Sequence, residues 1–261
     1  MFGDFHVHTV HSFDGKMTME EACAAAVRQG MDTLCFTEHF SVLEYDPSYR
    51  VLRPADYARE LADCRERYAG RLLVLGGLEI GEPHLETAAI ARETAGLELD
   101  FVIGSLHNIG RETLRKFQAH TDTTEAYRTY FDTVRTMVRT ADVDVLGHLD
   151  LMKRYVPPEK GNYVFADHAA CIDDILHIAV QRGIGLEINA SGLRTPGEFF
   201  PKTEVLRRYR ELGGEIVTYG SDAHRPDAVG QGFAAACDTL RACGFAYLCR
   251  FERRRPQFFP L

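Results

Sequence analysis

What the sequence lacks narrows it before anything it contains. No C-x-x-C pair occurs among its seven cysteines, Cys23, Cys35, Cys64, Cys171, Cys237, Cys243 and Cys249. Without that spacing, neither a thiolate zinc site nor a disulfide framework is expected. No apolar run is long enough to span a bilayer, and the opening MFGDFHVHT has no basic region followed by an apolar stretch. Neither a membrane span nor a secretory signal is read, and the expected location is the cytoplasm. Basic charge is not in excess: 30 Lys and Arg against 38 Asp and Glu leave a formal net charge of −8. That argues against a protein that grips a nucleic-acid backbone, because such binding needs concentrated cations. The one basic cluster, Arg253, Arg254 and Arg255, reads as a solvated tail. Linkers, low-complexity tracts and repeats are also missing, so residues 1–261 read as a single domain.

What is present is an alternation. Short apolar runs, FHV (5–7), TLCF (33–36), LLVLGGLEI (72–80), DFVIGS (100–105), VDVLGH (143–148), IGLEIN (184–189) and EIVTYGS (215–221), read as strands. Between them, helical periodicity covers 18–30, 54–69, 85–95, 124–140, 166–182, 202–212 and 227–243. Thr18 ahead of Met19-Glu20-Glu21 and Pro54 ahead of Ala55-Asp56-Tyr57 are start signals. Continuous rather than alternating apolar strands are covered on both faces, the mark of a parallel sheet with helices outside. A (β/α) barrel is the preferred α/β architecture, with a doubly wound open sheet as its competitor.

Polar residues decide between them. The first strand delivers His6 and His8, the second Glu38 and His39, the third Glu79 and the fourth His107. His148 follows VDVLG, Glu187 and Asn189 close IGLEIN, and Asp222 and His224 follow TYGS. In a parallel barrel those carboxyl ends share one rim, where barrel active sites are built. One histidine after a strand is ordinarily a hydrogen-bonded loop residue, but seven strands behaving alike point to a shared site. Imidazoles mixed with carboxylates suit Zn, Mn or Fe, whereas Mg or Ca would draw mostly oxygen ligands. With about four ligands to a closed site and about three to an open one, this set suffices for two or three ions. Such clusters raise the acidity of water and clamp phosphoester oxygens, so phosphate-ester hydrolysis is the leading chemistry.

The segments HVHTVHSFDG, CFTEHF, GGLEIG, GSLHN, GHLDL and YGSDAH, in that order over residues 4 to 224, resemble the motifs of the PHP (polymerase and histidinol phosphatase) superfamily. Within it, GHLDLMKRY (147–155) and NASGLRT (189–195) are most similar to the monofunctional histidinol-phosphate phosphatases. The resemblance implies a distorted (β/α)7 TIM-like barrel with a trinuclear site of Zn, Mn or Fe. Carried over by residue, it implies that His6, His8, Glu79 and Asp222 hold one metal. Glu79 would bridge to a second ion that also takes His107 and His148, and Asp14, His39 and His224 would hold the third. His11 is left out, since the third-metal position falls six residues after His8. Glu38, Glu187 and Asn189 are expected to orient ligands or contact substrate. Arg154 and Arg194 match positions in the phosphatase motifs, and with Arg225 they follow strand ends, where a planar guanidinium suits a phosphate. Glu79, Asp222 and His224 carry the expected catalytic roles. Residues 41–53 are expected to cover the rim as a loop.

The expected reaction is hydrolysis of a small phosphomonoester, foremost L-histidinol phosphate, in histidine biosynthesis. Two alternatives stand beside it. A PHP phosphoesterase could act on another small ester, such as a nucleotide, sugar phosphate or phosphodiester. A non-catalytic PHP binding module is the other, although every ligand position is filled and no polymerase segment follows.

Overall fold

The computed structural model describes residues 2–261. Its apolar runs form seven strands: β1 (Gly3–Val7), β2 (Thr33–Phe40), β3 (Leu73–Gly81), β4 (Phe101–Ser105), β5 (Val145–Leu146), β6 (Gly185–Asn189) and β7 (Val217–Gly220). They are hydrogen-bonded in sequence order, every neighbour parallel. A doubly wound sheet would reverse its order at a switch point; this one does not, and it nearly closes. Just past β7, the backbone N–H of His8 donates to Ala223 O at 2.8 Å, and Ala223 N donates to His6 O at 3.3 Å. The ring is an irregular seven-stranded barrel, with a register shift in β1 and only two residues in β5.

Among the described residues eight α-helices accompany the strands: α1 (Met19–Arg28), α2 (Pro54–Arg67), α3 (Thr87–Thr94), α4 (Leu114–His120), α5 (Thr123–Thr140), α6 (Phe165–Arg182), α7 (Thr203–Glu211) and α8 (Phe233–Ala242). Thr18 and Glu21 close a reciprocal capping box on α1. Pro54 begins α2, where its missing N–H costs nothing. On α5, Tyr127, Tyr130, Phe131, Val134, Met137 and Val138 form one buried stripe at helical spacing. The helix expected over 227–243 is shorter, because Gly230 and Gly232 take φ of +70° and +85°, outside the right-handed helical region. The short α4 was not anticipated, since seven residues carry little periodic signal. No helix among the described residues is long and apolar enough to cross a membrane, and the seven cysteines are free thiols.

Alternation along the strands divides the barrel interior into two tiers. Leu75 and Glu79 share one face of β3, as Phe101, Ile103 and Ser105 share one of β4. At the lower end Phe5, Cys35, Leu75, Phe101, Ile103 and Val145 pack together. This tier is sealed by Cys249 and Phe251, from a C-terminal hairpin of β8 (Tyr247–Glu252) and β9 (Arg255–Pro260). The Arg253–Arg255 cluster is therefore not simply a solvated tail. Arg253 and Arg254 are the two turn residues, both with positive φ, the pattern of a type I′ turn that Asn-Gly ordinarily signals. The half-buried Arg254 guanidinium donates to Asp144 Oδ2 at 2.7 Å and Asp142 Oδ1 at 3.1 Å, fastening the hairpin to the barrel floor.

Phe251 is 2% exposed and lies 5.0 Å, centroid to centroid, from Phe101. Phe251→Ala is expected to cost about 3–5 kcal/mol, typical of emptying a buried aromatic site, measured by urea denaturation. An unchanged midpoint would show that the hairpin does not plug the floor.

Candidate metal centre

The upper tier is built around one residue. Glu79, fully buried on β3, meets five histidines with its two oxygens. Oε2 lies 2.9 Å from His39 Nδ1, 3.3 Å from His6 Nε2 and 3.5 Å from His8 Nε2. Oε1 lies 2.8 Å from His148 Nε2 and 3.3 Å from His107 Nε2. Asp222 closes the ring, its Oδ1 3.5 Å from His8 Nε2 and 3.8 Å from His6 Nε2. Above this floor Asp14 reaches His224 Nε2 at 3.1 Å and His39 Nε2 at 3.6 Å. All nine expected ligands converge, but as one array rather than three separate sets. The His8 ring stacks on His39 at 4.1 Å and on His224 at 4.4 Å. His39 lies inside β2, which runs past the Phe36 expected to end it.

Other buried groups hold these rings in place. Glu187 Oε1 takes His6 Nδ1 at 2.5 Å, while its Oε2 accepts the backbone N–H of His148 and the Asn189 amide. Glu38 accepts from the N–H and hydroxyl of Thr9 and from the Ser12 hydroxyl. Ser12 in turn sits 3.2 Å from His8 Nδ1 and accepts from the backbone of His39. Ser105 donates to Glu79 Oε1 at 2.5 Å. Glu38, Glu187 and Asn189 thus stand where ligand-orienting residues belong. Ser12 and Ser105 lie inside the HVHTVHSFDG and GSLHN segments, but nothing in their residue type marks them for this role. The crowding leaves Gly220 no alternative, since a Cβ there would fall 2.1 Å from Glu187 Oε1.

The electrostatics are those of a site short of positive charge. Burial opposes ionisation of Glu79, yet His6, His39 and His107 hold its carboxyl well below the usual range. Reciprocally, and against burial, Glu79 and Asp14 push His39 up to about 10, and Glu187, Glu79 and Asp222 raise His6. His8 is the exception: burial and the neighbouring His39 and His224 keep it neutral, with its ring lone pair free to ligate. His6 Nε2, His8 Nε2, Glu79 Oε2, His148 Nδ1 and Asp14 Oδ1 are buried without hydrogen-bond partners, a costly state for polar atoms. Donor separations of 3.3–3.8 Å match atoms sharing a tetrahedral ion, whose edge is roughly 3.4 Å for bonds of about 2.1 Å. His6, His8 and Glu79, and likewise His39, Glu79 and His107, each bring three ligand atoms within 4.8 Å of one another. Orphaned atoms, spacing and donor chemistry agree on a set that binds divalent metal ions. His148 and Asp222 adopt φ of +21° and +54°, strain of the kind that collects at functional sites.

The array opens into two joined cavities. A lobe of about 200 Å³ lies over it, and a cleft of about 670 Å³ continues from there, sharing Asp14, Arg154, Asp222 and His224. Lys16, Arg115, Arg154, Arg194 and Arg225 line the cleft. Arg154 stacks over Phe200, bonds Ser191 and comes within 3.8 Å of Asp222. Arg194 rests on Gln231 at 3.2 Å, and the exposed Arg225 pairs with Asp227 at 3.5 Å. Lys16 and Arg115 arrive from positions with no motif to mark them. Residues 41–53 do reach the rim, placing Asp46 and Ser48 in the lobe wall. His11 instead turns to Glu60, 2.8 Å away. A larger cleft, of about 1140 Å³, lies at the opposite end of the barrel.

Residues 4–191 match the family model for the PHP domain, well over half of the chain. The chain belongs to the PHP family. Relatives extend the likeness past residue 191, over the stretch that carries Asp222 and His224. A probable histidinol-phosphatase of Deinococcus radiodurans is 32% identical, over 92% of this PHP chain and 93% of that protein. Another, of Clostridium acetobutylicum, is 30% identical over 97% and 98%. In fold, the PHP chain is similar to the histidinol phosphate phosphatase of Lactococcus lactis, solved with zinc, L-histidinol and phosphate. That match has a TM-score of 0.90 at 24% identity and covers 98% of each chain.

Two substitutions separate ligand from support. Glu187→Gln, which disturbs only the groups behind His6 and His148, is expected to cost about 10- to 100-fold in metal affinity. Glu79→Gln is expected to cost more. Metal content after dialysis, read by plasma mass spectrometry, checks both; wild-type content in Glu79→Gln would remove Glu79 from the ligand set.

Proposed function

We propose that this PHP chain, a single domain over residues 1–261, hydrolyses L-histidinol phosphate to L-histidinol and phosphate, in the cytoplasm and in the service of histidine biosynthesis. One observation carries the reading: the donor array opens directly into a cleft walled by Lys16, Arg115, Arg154 and Arg194. A dianionic phosphate would be drawn there and held beside the array. The full-length likeness to probable histidinol-phosphatases supports the substrate.

Two or three divalent ions, zinc first and Mn or Fe as substitutes, are assigned to the array. His6, His8, Glu79 and Asp222 would hold one, Glu79, His107 and His148 a second, and Asp14, His39 and His224 the third. Bound ions would supply charge neutralisation for phosphoryl oxygens and acidity to water. The remaining work falls to the chain itself. Arg154, kept in one orientation by Phe200 and Ser191, presents a planar fork for paired hydrogen bonds to phosphate. Arg194 covers the outer side of the same group. Asp222 and His224, on the wall shared by lobe and cleft, are assigned to the leaving-group side, where a proton must reach the departing alkoxide.

Steady-state hydrolysis of a phosphomonoester panel, with Zn, Mn or Fe supplied, should give the highest kcat/KM for L-histidinol phosphate. Another ester faster by orders of magnitude would overturn the substrate. Chelation should abolish turnover and each suitable metal restore it; activity that survives complete chelation would overturn the metal-dependent reading. Arg154→Ala is expected to lower kcat/KM about 10- to 100-fold, the cost of a charged hydrogen bond to phosphate. An unchanged kcat/KM would place the phosphate elsewhere.

A further inference from the structure

The lobe over the donor array contains a carboxylate that the array does not use. Asp46, on the rim segment 41–53, is 6% exposed and lines the lobe. Its Oδ1 accepts from the N–H of Ser48 at 2.8 Å and from the Ser48 hydroxyl, and its Oδ2 accepts from Asn108 Nδ2 at 2.8 Å. A carboxylate offers about four acceptor positions, so Oδ2 keeps one. Among the described residues no Lys, Arg or His nitrogen lies within ion-pair distance of it. A buried carboxylate with hydrogen bonds but no counter-charge is costly unless a cation joins it.

Its position is fixed from behind. Asn108 spends its other N–H on Glu82 Oε2 at 2.9 Å, and Glu82 Oε1 accepts the backbone N–H groups of His107 and Asn108. One amide thus clamps two buried carboxylates. Arg111, 5.3 Å above the Tyr45 ring, fastens segment 41–53 to the rim hairpin that carries Asn108. A Cβ on Gly81 would stand 3.6 Å from His107 Nδ1 and 3.7 Å from Asp46 Oδ2, so Asp46 is a next-door neighbour of the donor array. The cavity is consequently dipolar: arginines face the cleft side, and a fixed, unpaired carboxylate faces the lobe.

We propose that Asp46 is a specificity-determining residue that receives the ammonium group of a phosphomonoester whose amine lies two carbons from the ester oxygen. This rests on the phosphomonoesterase reading and deepens it. L-Histidinol phosphate has that arrangement, and Asp46 shares the lobe with Glu79, His107 and His148 of the array. An amine-free ester would leave Asp46 buried and unpaired in the complex, so selectivity follows from the penalty as well as from the attraction.

The test compares esters matched except for the amine: L-histidinol phosphate with its desamino analogue, and 2-aminoethyl phosphate with ethyl phosphate. Wild-type protein should favour the amine-bearing member of each pair by about 10- to 100-fold in kcat/KM, chiefly through KM. In Asp46→Asn that preference should collapse toward unity. Calorimetry supplies a readout without turnover: L-histidinol should bind Asp46→Asn at least about tenfold more weakly than wild type, with metal content retained. A wild type indifferent to the amine would overturn the proposal whether or not the variant folds. So would an Asp46→Asn protein whose turnover falls equally on both members of a pair, the mark of a residue acting through His107. If wild type prefers an ester other than L-histidinol phosphate, the named substrate falls, while the 2-aminoethyl and ethyl pair still decides Asp46.

Discussion

One buried carboxylate surrounded by five imidazoles organises the upper half of this protein. Glu79 sits where water cannot solvate its charge, and its charge persists because His6, His39 and His107 face it. Those histidines in turn are oriented by a further ring of buried acids and hydroxyls: Glu187 behind His6, and Glu38 through Ser12 behind His8 and His39. Each layer is stable only because the next satisfies it. The carboxylates draw positive charge to the centre, raising His6 and His39, and divalent cations would supply that charge in place of the protons. The site is therefore a poor hydrophobic core and a good cation trap, which accounts for its polar atoms left without protein partners.

Such a site needs a scaffold whose stability comes from elsewhere. The lower tier provides it, with Phe5, Phe101, Ile103 and Val145 closed from below by Phe251. Alternation on a single strand serves both ends: β3 gives Leu75 to the floor and Glu79 to the mouth from the same face. Barrel interiors are packed cores with function confined to one rim. Here the division falls within five residues of one strand, from Leu75 in the floor to Glu79 in the array.

The fold and most of the converging donor residues are legible in the sequence for the same reason, Asp14 coming only from the family resemblance. Parallel strands covered on both faces are written as continuous apolar runs, and each run here ends in a residue able to bind metal. Seven runs with seven such ends are a pattern that no single His-x-His pair provides. The β8–β9 hairpin was not legible, because Arg253 and Arg254 take the positive φ values that Asn-Gly would have announced, and three arginines in a row resemble a solvated tail. The substrate-facing groups were only partly legible. Arg154 and Arg194 lie in recognisable stretches, whereas Lys16, Arg115 and Asp46 become neighbours of the site only once loops from distant parts of the chain meet. A strand end is a local property of sequence; a cavity wall is not.

Closure of the barrel and completion of the site are coupled. Backbone pairing across the seam between β1 and β7 is limited to two hydrogen bonds, through His6, His8 and Ala223, beside which the Asp4 carboxylate of β1 accepts from the N–H and hydroxyl of Ser221. Directly beside that seam lie His6 and His8 on one side and Asp222 and His224 on the other. On the proposed ligand set, the first ion would take donors from both sides of this seam, where the sheet pairing is weakest. Binding free energy at such a position is folding free energy, since an open seam cannot present all the donors together. The strained backbone of Asp222, with φ of +54°, fits this account. Its conformation is the one that lets Ala223 pair with β1 while the Asp222 side chain turns into the barrel. On that ligand set the irregular closure of the barrel would be part of how the centre is assembled, the short span of regular pairing leaving room for its donors.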